Sequence, residues 1–251
     1  MLGIINGDTY QVIFLDSPGL IVPKYALQDL MVKSAWAAIE EADLTLLLTE
    51  PREDNFDGGT RILERLKHTG KPVVLAINKI DLVAKAGLLP LIAYYRGLFD
   101  FAEIVPVSAL KRDGLDDLKR LVVARLPRQP AFYPQSEVTD RPQRFFIAEI
   151  IRQKVFELFG EEIPYSVAVV IEEYKERGEA RDYIKATAVC ERSSQKAILI
   201  GKRGEAIKRL GRVARMEIEA FVGKGVFLEL KVDVRENWRK DERKIRSLGQ
   251  V

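Results

Sequence analysis

The sequence predicts an α/β domain built on a parallel sheet, followed by a smaller α+β domain. Three observations predict it. Val73–Ile77 is an unbroken apolar run that ends in the polar turn Asn78-Lys79-Ile80-Asp81, the pattern of a strand buried on both faces of a parallel sheet. Runs of this kind alternate with segments of helical spacing through the first half of the chain. Then Pro127, Pro130 and Pro134 fall within eight residues, a stiff extended segment rather than a packed element, and the pattern changes beyond it. The expected boundaries are 1–126 for the first domain, 127–138 for a linker and 139–251 for the second domain.

The chain opens on a hairpin, with short apolar segments Leu2–Ile5 and Tyr10–Leu15 about the turn Asn6-Gly7-Asp8. Leu27, Leu30, Met31, Ala35, Ala38, Ile39 and Ala42 recur at helical spacing, and Leu44–Leu48 reads as a buried strand. A short amphipathic helix over Thr60–Lys67 precedes Gly70, which stands where a C-terminal cap belongs. After the Val73 strand come a helix around Leu88–Leu98, a strand at Ile104–Val107 and a closing helix over Gly114–Leu126, with Leu115, Leu118, Leu121 and Val122 on one face. In the second domain Thr139 or Asp140 is expected to cap a helix with Pro142 in its first turn. Ile147, Ile151, Val155 and Leu158 form its buried stripe, and Gly160 ends it. Tyr165–Glu173 and Tyr183–Glu191 read as a strand pair. Two helical pieces flank Gly201-Lys202-Arg203-Gly204, Val226–Val234 is a further strand, and Trp238–Ser247 is a basic terminal helix.

At 251 residues, 47% hydrophobic and 31% charged, the chain has material for two cores. No apolar run approaches a membrane span, and Met1 leads into strand-like sequence without the basic start of a signal peptide. A single cysteine, Cys190, excludes an internal disulfide, suits a reducing compartment and reads as a small strand residue. The lone histidine, His68, has no cysteine or serine motif nearby and reads as a surface residue. Residues 1–126 hold 15 Lys+Arg against 17 Asp+Glu, residues 127–251 hold 25 against 20, and residues 195–251 hold 15 against 8. That asymmetry points to an anionic polymer as a partner of the back half only.

Open α/β sheets bind ligands beyond the carboxyl ends of their strands, where Asn78, Lys79 and Asp81 fall. A carboxylate at Asp81 accepts from both the ring N–H and the exocyclic amine of guanine. Adenine lacks that ring donor and leaves the carboxylate partly unpaired, a penalty of about 1–3 kcal/mol. Asn78 holds the loop and reaches the base edge, and the Lys79 stem lies across the base face. The plain alternative is a solvated strand-to-helix turn. Asp16-Ser17-Pro18-Gly19 ends the second hairpin strand. Asp16 suits a magnesium ion held through water, and Gly19 lets the backbone approach a terminal phosphate, although an ordinary turn explains the tetrapeptide by itself. Ser108-Ala109-Leu110 follows the Ile104 strand. It says little alone, but one strand after Asn78–Asp81 it places the Ala109 N–H to meet the base oxygen.

This order of strands, motifs and helices resembles the second half of a Ras-like GTPase domain of the P-loop NTPase type. Asp16–Gly19, Asn78–Asp81 and Ser108–Leu110 are similar to its third, fourth and fifth signature motifs. The resemblance implies GTP or GDP as the ligand of Asp16, Ser17, Pro18, Gly19, Leu20, Asn78, Lys79, Ile80, Asp81, Ser108, Ala109 and Leu110, with Mg2+ at Asp16. Leu20 stands where many such enzymes place a water-orienting glutamine. That implies the branch with a hydrophobic residue there, and leaves the catalytic residue unassigned. No Gly-x-x-x-x-Gly-Lys-Ser/Thr loop occurs, because neither Ser nor Thr follows Gly70-Lys71, Gly201-Lys202 or Gly223-Lys224. The threonine-bearing first switch is missing too. The expectation is an N-terminally incomplete domain in which the strands Val12–Asp16 and Asp43–Leu48 face a gap. Such a chain is expected to be marginally stable and to hydrolyse GTP negligibly in a single-turnover assay.

Gly201-Lys202-Arg203-Gly204 between two helices, beside a three-stranded sheet, resembles a type II KH domain. The glycines let a nucleic-acid backbone approach without a Cβ clash, and the next helix turn offers N–H groups. Ile198, Leu199 and Ile200 are the expected platform for unstacked bases. The candidate RNA-binding residues are Ile200, Gly201, Lys202, Arg203, Gly204 and Lys208, and the plain alternative is a charged helix–helix turn. Lys208, Arg209, Arg212 and Arg215 recur at helical spacing, either as a phosphate-facing stripe or as a solvated face.

The combination resembles the Era family of bacterial GTPases, as do Ile163-Pro164-Tyr165-Ser166, Ser193-Ser194-Gln195-Lys196, Trp238, Asp241-Glu242-Arg243 and Arg246-Ser247-Leu248-Gly249. The resemblance implies binding of single-stranded RNA near the 3′ end of small-subunit (16S) ribosomal RNA, a part in 30S subunit assembly, and a GTP state that controls RNA binding. It also implies a cytoplasmic monomer with peripheral association at the cytoplasmic face of the inner membrane, although no amphipathic membrane helix is evident. Two other readings compete. One is a nucleotide-independent KH-type RNA-binding protein whose truncated front half is a scaffold. The other is a ribosome-assembly GTPase with two GTPase domains and a KH-like tail, against which stand the intact Gly201–Gly204 motif and room for one GTPase domain.

Overall fold

A computed structural model of the chain describes residues 1–17, 19, 20, 23, 25–52, 59–160 and 163–248. It divides into two units, residues 1–20 with 33–139 and residues 21–32 with 140–251. In the first unit, β1 (Leu2–Asn6) and β2 (Gln11–Leu15) form an antiparallel hairpin with Leu2 opposite Leu15. There follow α1 (Ala26–Glu41), whose residues up to Val32 count with the second unit, β3 (Thr45–Thr49), α2 (Gly59–His68), β4 (Val73–Ile77), α3 (Leu88–Leu98), β5 (Glu103–Pro106) and α4 (Leu115–Arg125).

Strands β3, β4 and β5 form a parallel sheet in that order, with Thr45 opposite Val73 and Leu75 opposite Ile104. All five residues of the central strand β4 are buried. On one face Val74 and Ala76 pack with Leu115, Leu118 and Leu121 of α4. On the other, Leu75 and Ile77 pack with Leu91 and Tyr95 of α3. Burial from both sides is why the run is apolar without a break. Among the described residues β2 pairs as a strand only with β1, and β3 only with β4.

The segment 127–138, expected as a stiff extended linker, is hydrogen-bonded to the hairpin and falls within the first unit. Gln11 Oε1 accepts from the N–H groups of Phe132 and Tyr133, and Asn6 Nδ2 donates to the carbonyls of Gln135 and Glu137. The Ile4 N–H donates to the Val138 carbonyl. Thr139 spends its hydroxyl on the Leu2 carbonyl at 2.8 Å, so it does not cap the next helix, which starts after Pro142 without a side-chain cap.

In the second unit come α5 (Gln143–Leu158), β6 (Ala168–Lys175), β7 (Asp182–Cys190), α6 (Ser193–Ile200), α7 (Glu205–Val222), β8 (Val226–Val234) and α8 (Glu242–Ser247). The sheet order is β6-β7-β8, antiparallel then parallel. One face is covered by α5, α6 and α7 through Ile147, Ile151, Val155, Leu199, Leu210, Ala214 and Ile218. On the other, Ala168 and Val189 pack with Leu27 of α1 and with Trp238, Ile245 and Leu248. Pro164–Ser166 is a 3-10 turn rather than the start of β6. The expected terminal helix is split: Trp238–Lys240 is a 3-10 turn and Asp241 caps α8 by accepting from Arg243 N–H at 2.9 Å. No described helix is long and apolar enough to cross a membrane.

Candidate functional site

The carboxyl end of β4 delivers the first site. The Asn78 N–H donates to the Thr49 carbonyl of β3 at 2.8 Å, so the turn is fastened to the neighbouring strand. Lys79 adopts the left-handed conformation (φ 66°), and a 3-10 turn over Ile80–Leu82 follows. Asn78 Oδ1 then accepts from the N–H groups of Lys79 (2.8 Å) and Ala109 (3.0 Å). The Ser108 hydroxyl, itself buried, donates to Asp81 Oδ1 at 2.5 Å, and the Ile80 N–H donates to the Val107 carbonyl. Two loops far apart in sequence are thereby tied into one latch. A carboxylate has about four lone-pair sites, so Asp81 keeps acceptor capacity for a ligand's donors.

One expectation needs amending. The Ala109 N–H expected to meet a base oxygen donates to Asn78 Oδ1, so a base must share or displace that bond. Leu110 is exposed and Ile80 packs beside the α3 core. Lys79 Nζ pairs with Glu50 Oε1 at 2.5 Å, and Glu50 also meets Arg52 at 3.1 Å. The Lys79 ammonium holds the Glu50 carboxyl below the usual range. Glu50 was not singled out from the sequence. The available signal was its place one residue beyond β3, at the same sheet edge as Asn78.

Asp16, Ser17, Gly19 and Leu20 follow β2, with Asp16 N–H bonded to the Met1 carbonyl and its side chain exposed. Pro18 lies outside the described residues. Among the described residues, no hydrogen bond or ion pair joins these to the Asn78–Ala109 latch, and no group of three or more His, Cys, Asp or Glu gathers as a metal site. A lone exposed carboxylate still fits Mg2+, which keeps several waters and takes one or two carboxylates beside substrate phosphates.

The second site is the turn between α6 and α7. Gly201, Arg203 and Gly204 all have positive φ (71°, 52° and 76°). A Cβ on Gly201 would lie 2.6 Å from the Ala206 Cβ, so the fold itself demands glycine there. On Gly204 a Cβ would meet nothing within 4 Å, so that side of the turn stands open. Lys202 and Arg203 are exposed. Beyond the turn a groove of about 400 Å³ runs between α7 and β8, lined by Ile207, Lys208, Gly211, Arg212, Arg215, Leu228 and Leu230. Of the basic stripe, Lys208, Arg212 and Arg215 line the groove, and Arg209 is not among its lining residues. The expected platform is corrected as well. Leu199 is fully buried in the core, Ile200 packs against that core, and only Ile198 is exposed. The groove's apolar floor is Ile207, Leu228 and Leu230 instead, which sequence spacing alone could not bring together across α7 and β8.

Comparison with known proteins finds relatives for both halves of the chain. A family described as "50S ribosome-binding GTPase" matches residues 1–79, and one described as "KH domain" matches residues 162–239. The GTPase Era of Geotalea uraniireducens (strain Rf4) is 45% identical over 247 residues, spanning 98% of this chain and 83% of that protein. A crystal structure of an Aquifex aeolicus Era variant bound to GDP·AlF4− superposes with a TM-score of 0.94 at 37% identity, covering 99% of this chain and 85% of that one. A crystal structure of Era in complex with MgGDPNP and nucleotides 1506–1542 of 16S ribosomal RNA gives the same TM-score, identity and coverage. With 45% identity to one member over nearly its whole length, the chain belongs to the Era family of GTPases.

Proposed function

We propose that this chain binds the 3′ region of 16S ribosomal RNA through the groove between α7 and β8, in the service of small-subunit assembly, with guanine nucleotide at the Asn78–Asp81 and Ser108–Leu110 latch controlling that binding. The observation that carries the reading is the groove: a Gly-x-x-Gly turn opens onto an apolar floor walled by Lys208, Arg212 and Arg215. Unpaired bases rest on such a floor while the cations neutralise phosphates. Ile200, Gly201, Lys202, Arg203 and Gly204 form the entry for the backbone. Asp81 selects guanine, and Asp16 would hold Mg2+ through water beside the terminal phosphates, where the ion neutralises charge.

The test is fluorescence anisotropy with an RNA spanning nucleotides 1506–1542 of 16S ribosomal RNA. Gly204→Asp should lose RNA affinity tenfold or more; its left-handed backbone (φ 76°) costs about 1–2 kcal/mol of stability, but the added side chain enters open space, so circular dichroism should still report a folded domain. Asp81→Asn should weaken GDP by tenfold or more, the usual range for a lost charged acceptor of about 1–3 kcal/mol, and leave RNA affinity in the absence of nucleotide unchanged. In the second reading, RNA binding is indifferent to nucleotide. Equal RNA affinity with GDP, with GDPNP and without either would select it. A cytoplasmic monomer, in peripheral contact with the inner membrane, completes the proposal. Family membership and the single buried cysteine support the compartment, and cell fractionation tests it.

A further inference from the structure

Gly211 and Arg215 stand four residues apart on α7, and both line the groove. Glycine weakens a helix interior relative to alanine, and nothing in the fold asks for it at 211. Its φ is not positive, and a Cβ built there meets nothing within 4 Å. The missing side chain leaves a slot in the groove wall. Helical side chains lean toward the N-terminus of their helix, so the Arg215 stem leans over the turn that holds Gly211. The Arg215 Nε–H is shielded from solvent and meets no acceptor among the described residues. A guanidinium presents Nε–H beside an Nη–H as a planar fork for two acceptors. Lys208 and Arg212 are exposed on the rim, whereas Arg215 is half-buried.

Resting on the RNA-binding reading above, we propose that Arg215 is the base-reading residue of the groove. A base enters the slot beside Gly211, stands on the floor of Leu228 and Leu230, and offers two adjacent acceptors to the Arg215 fork. Guanine offers O6 and N7, and cytosine offers O2 and N3. Adenine and uracil have no two adjacent acceptors on one edge. The slot therefore selects guanine or cytosine, while Lys208 and Arg212 hold phosphates and carry no sequence information.

The test uses the full chain and single-stranded RNA decamers tiling nucleotides 1506–1542 of 16S ribosomal RNA. The tightest binder is varied one position at a time and titrated at several salt concentrations. In the wild type, one position should lose tenfold or more when its guanine or cytosine becomes adenine or uracil. Arg215→Lys keeps the charge and should lose that preference, together with about tenfold affinity for the parent decamer and no change in salt slope. Gly211→Leu should do the same while melting at or above the wild-type temperature. Arg212→Gln should weaken every decamer alike and lower the salt slope by about one. If Arg215→Lys keeps the preference or weakens all decamers equally, or if Gly211→Leu binds as wild type does, the assignment falls while RNA binding by the domain stands. If the wild type binds none of the decamers, the assignment and the RNA-binding reading fall together.

Discussion

Asp182 is a carboxylate sunk in β7 that accepts from Lys224 Nζ at 2.6 Å, from the Arg177 N–H at 2.9 Å and from the Tyr174 hydroxyl at 3.3 Å. The Lys224 ammonium, then the Arg177 N–H, hold its carboxyl below the ordinary value, against burial, which pushes it up. A folded-state pKa below the unfolded value of about 3.9 means stability that is present above that pH and lost as pH falls through the folded value. Asp182→Asn should therefore lower the melting temperature at pH 7, and the gap from wild type should close as the solution is acidified below about pH 4. A constant gap across that range, followed by scanning calorimetry, would show that the carboxylate's charge contributes nothing. Individual residues were legible in the sequence where their partners are adjacent or belong to a recognisable tetrapeptide, as with Asn78 and Asp81. Asp182 and Glu50 were not, because Lys224 and Lys79 reach them only through tertiary structure; Arg215 was visible as one of a basic stripe, but its β8 neighbours were not.

Among the elements, β4 was the most legible, since burial on both faces leaves no room for a polar residue in the run. The bounds of β8 and α3 also follow directly from apolar pattern and flanking turn residues. Trp238–Ser247 read as one helix because its basic residues keep helical spacing. Asp241 breaks it by accepting from the N–H groups ahead of it, and Trp238 turns inward, its indole N–H donating to the Ser166 carbonyl at 3.4 Å. Leu199 was read as platform because a helix face exposed to ligand and one buried in the core look alike in sequence. The loop carrying Ser108 and Ala109 is held between β5 and Gly114, whose φ is 72° and whose Cβ, if present, would lie 2.6 Å from the Pro106 carbonyl oxygen. Gly114→Ala should cost at least about 1–2 kcal/mol from the left-handed backbone alone. By displacing Ser108 and Ala109 it should also weaken GDP. Urea unfolding and a GDP titration check both halves, and unchanged GDP affinity at reduced stability would separate the loop from the nucleotide.

At the level of the whole molecule, the sequence placed the division in the proline-rich stretch, whereas each unit draws on chain from more than one segment. The first takes residues 127–139 through the amides of Asn6 and Gln11, and the second takes Tyr25–Met31 over Ala168 and Val189. No local pattern announces either exchange, because a helix stripe does not say which sheet it will cover. A fragment of residues 140–251 should accordingly bind a hydrophobic dye more than the full chain does, since its apolar sheet face is uncovered. A synthetic peptide of residues 21–32 should raise its melting temperature, and no response to the peptide would count against that cover. The polar lacing of the proline segment has a practical sequel. Arg128 is exposed, and trypsin can cut the chain there, yet each half of the nicked protein still owns a strip that the other half has woven into its own body. The two pieces should run apart under denaturing electrophoresis and travel together through a sizing column.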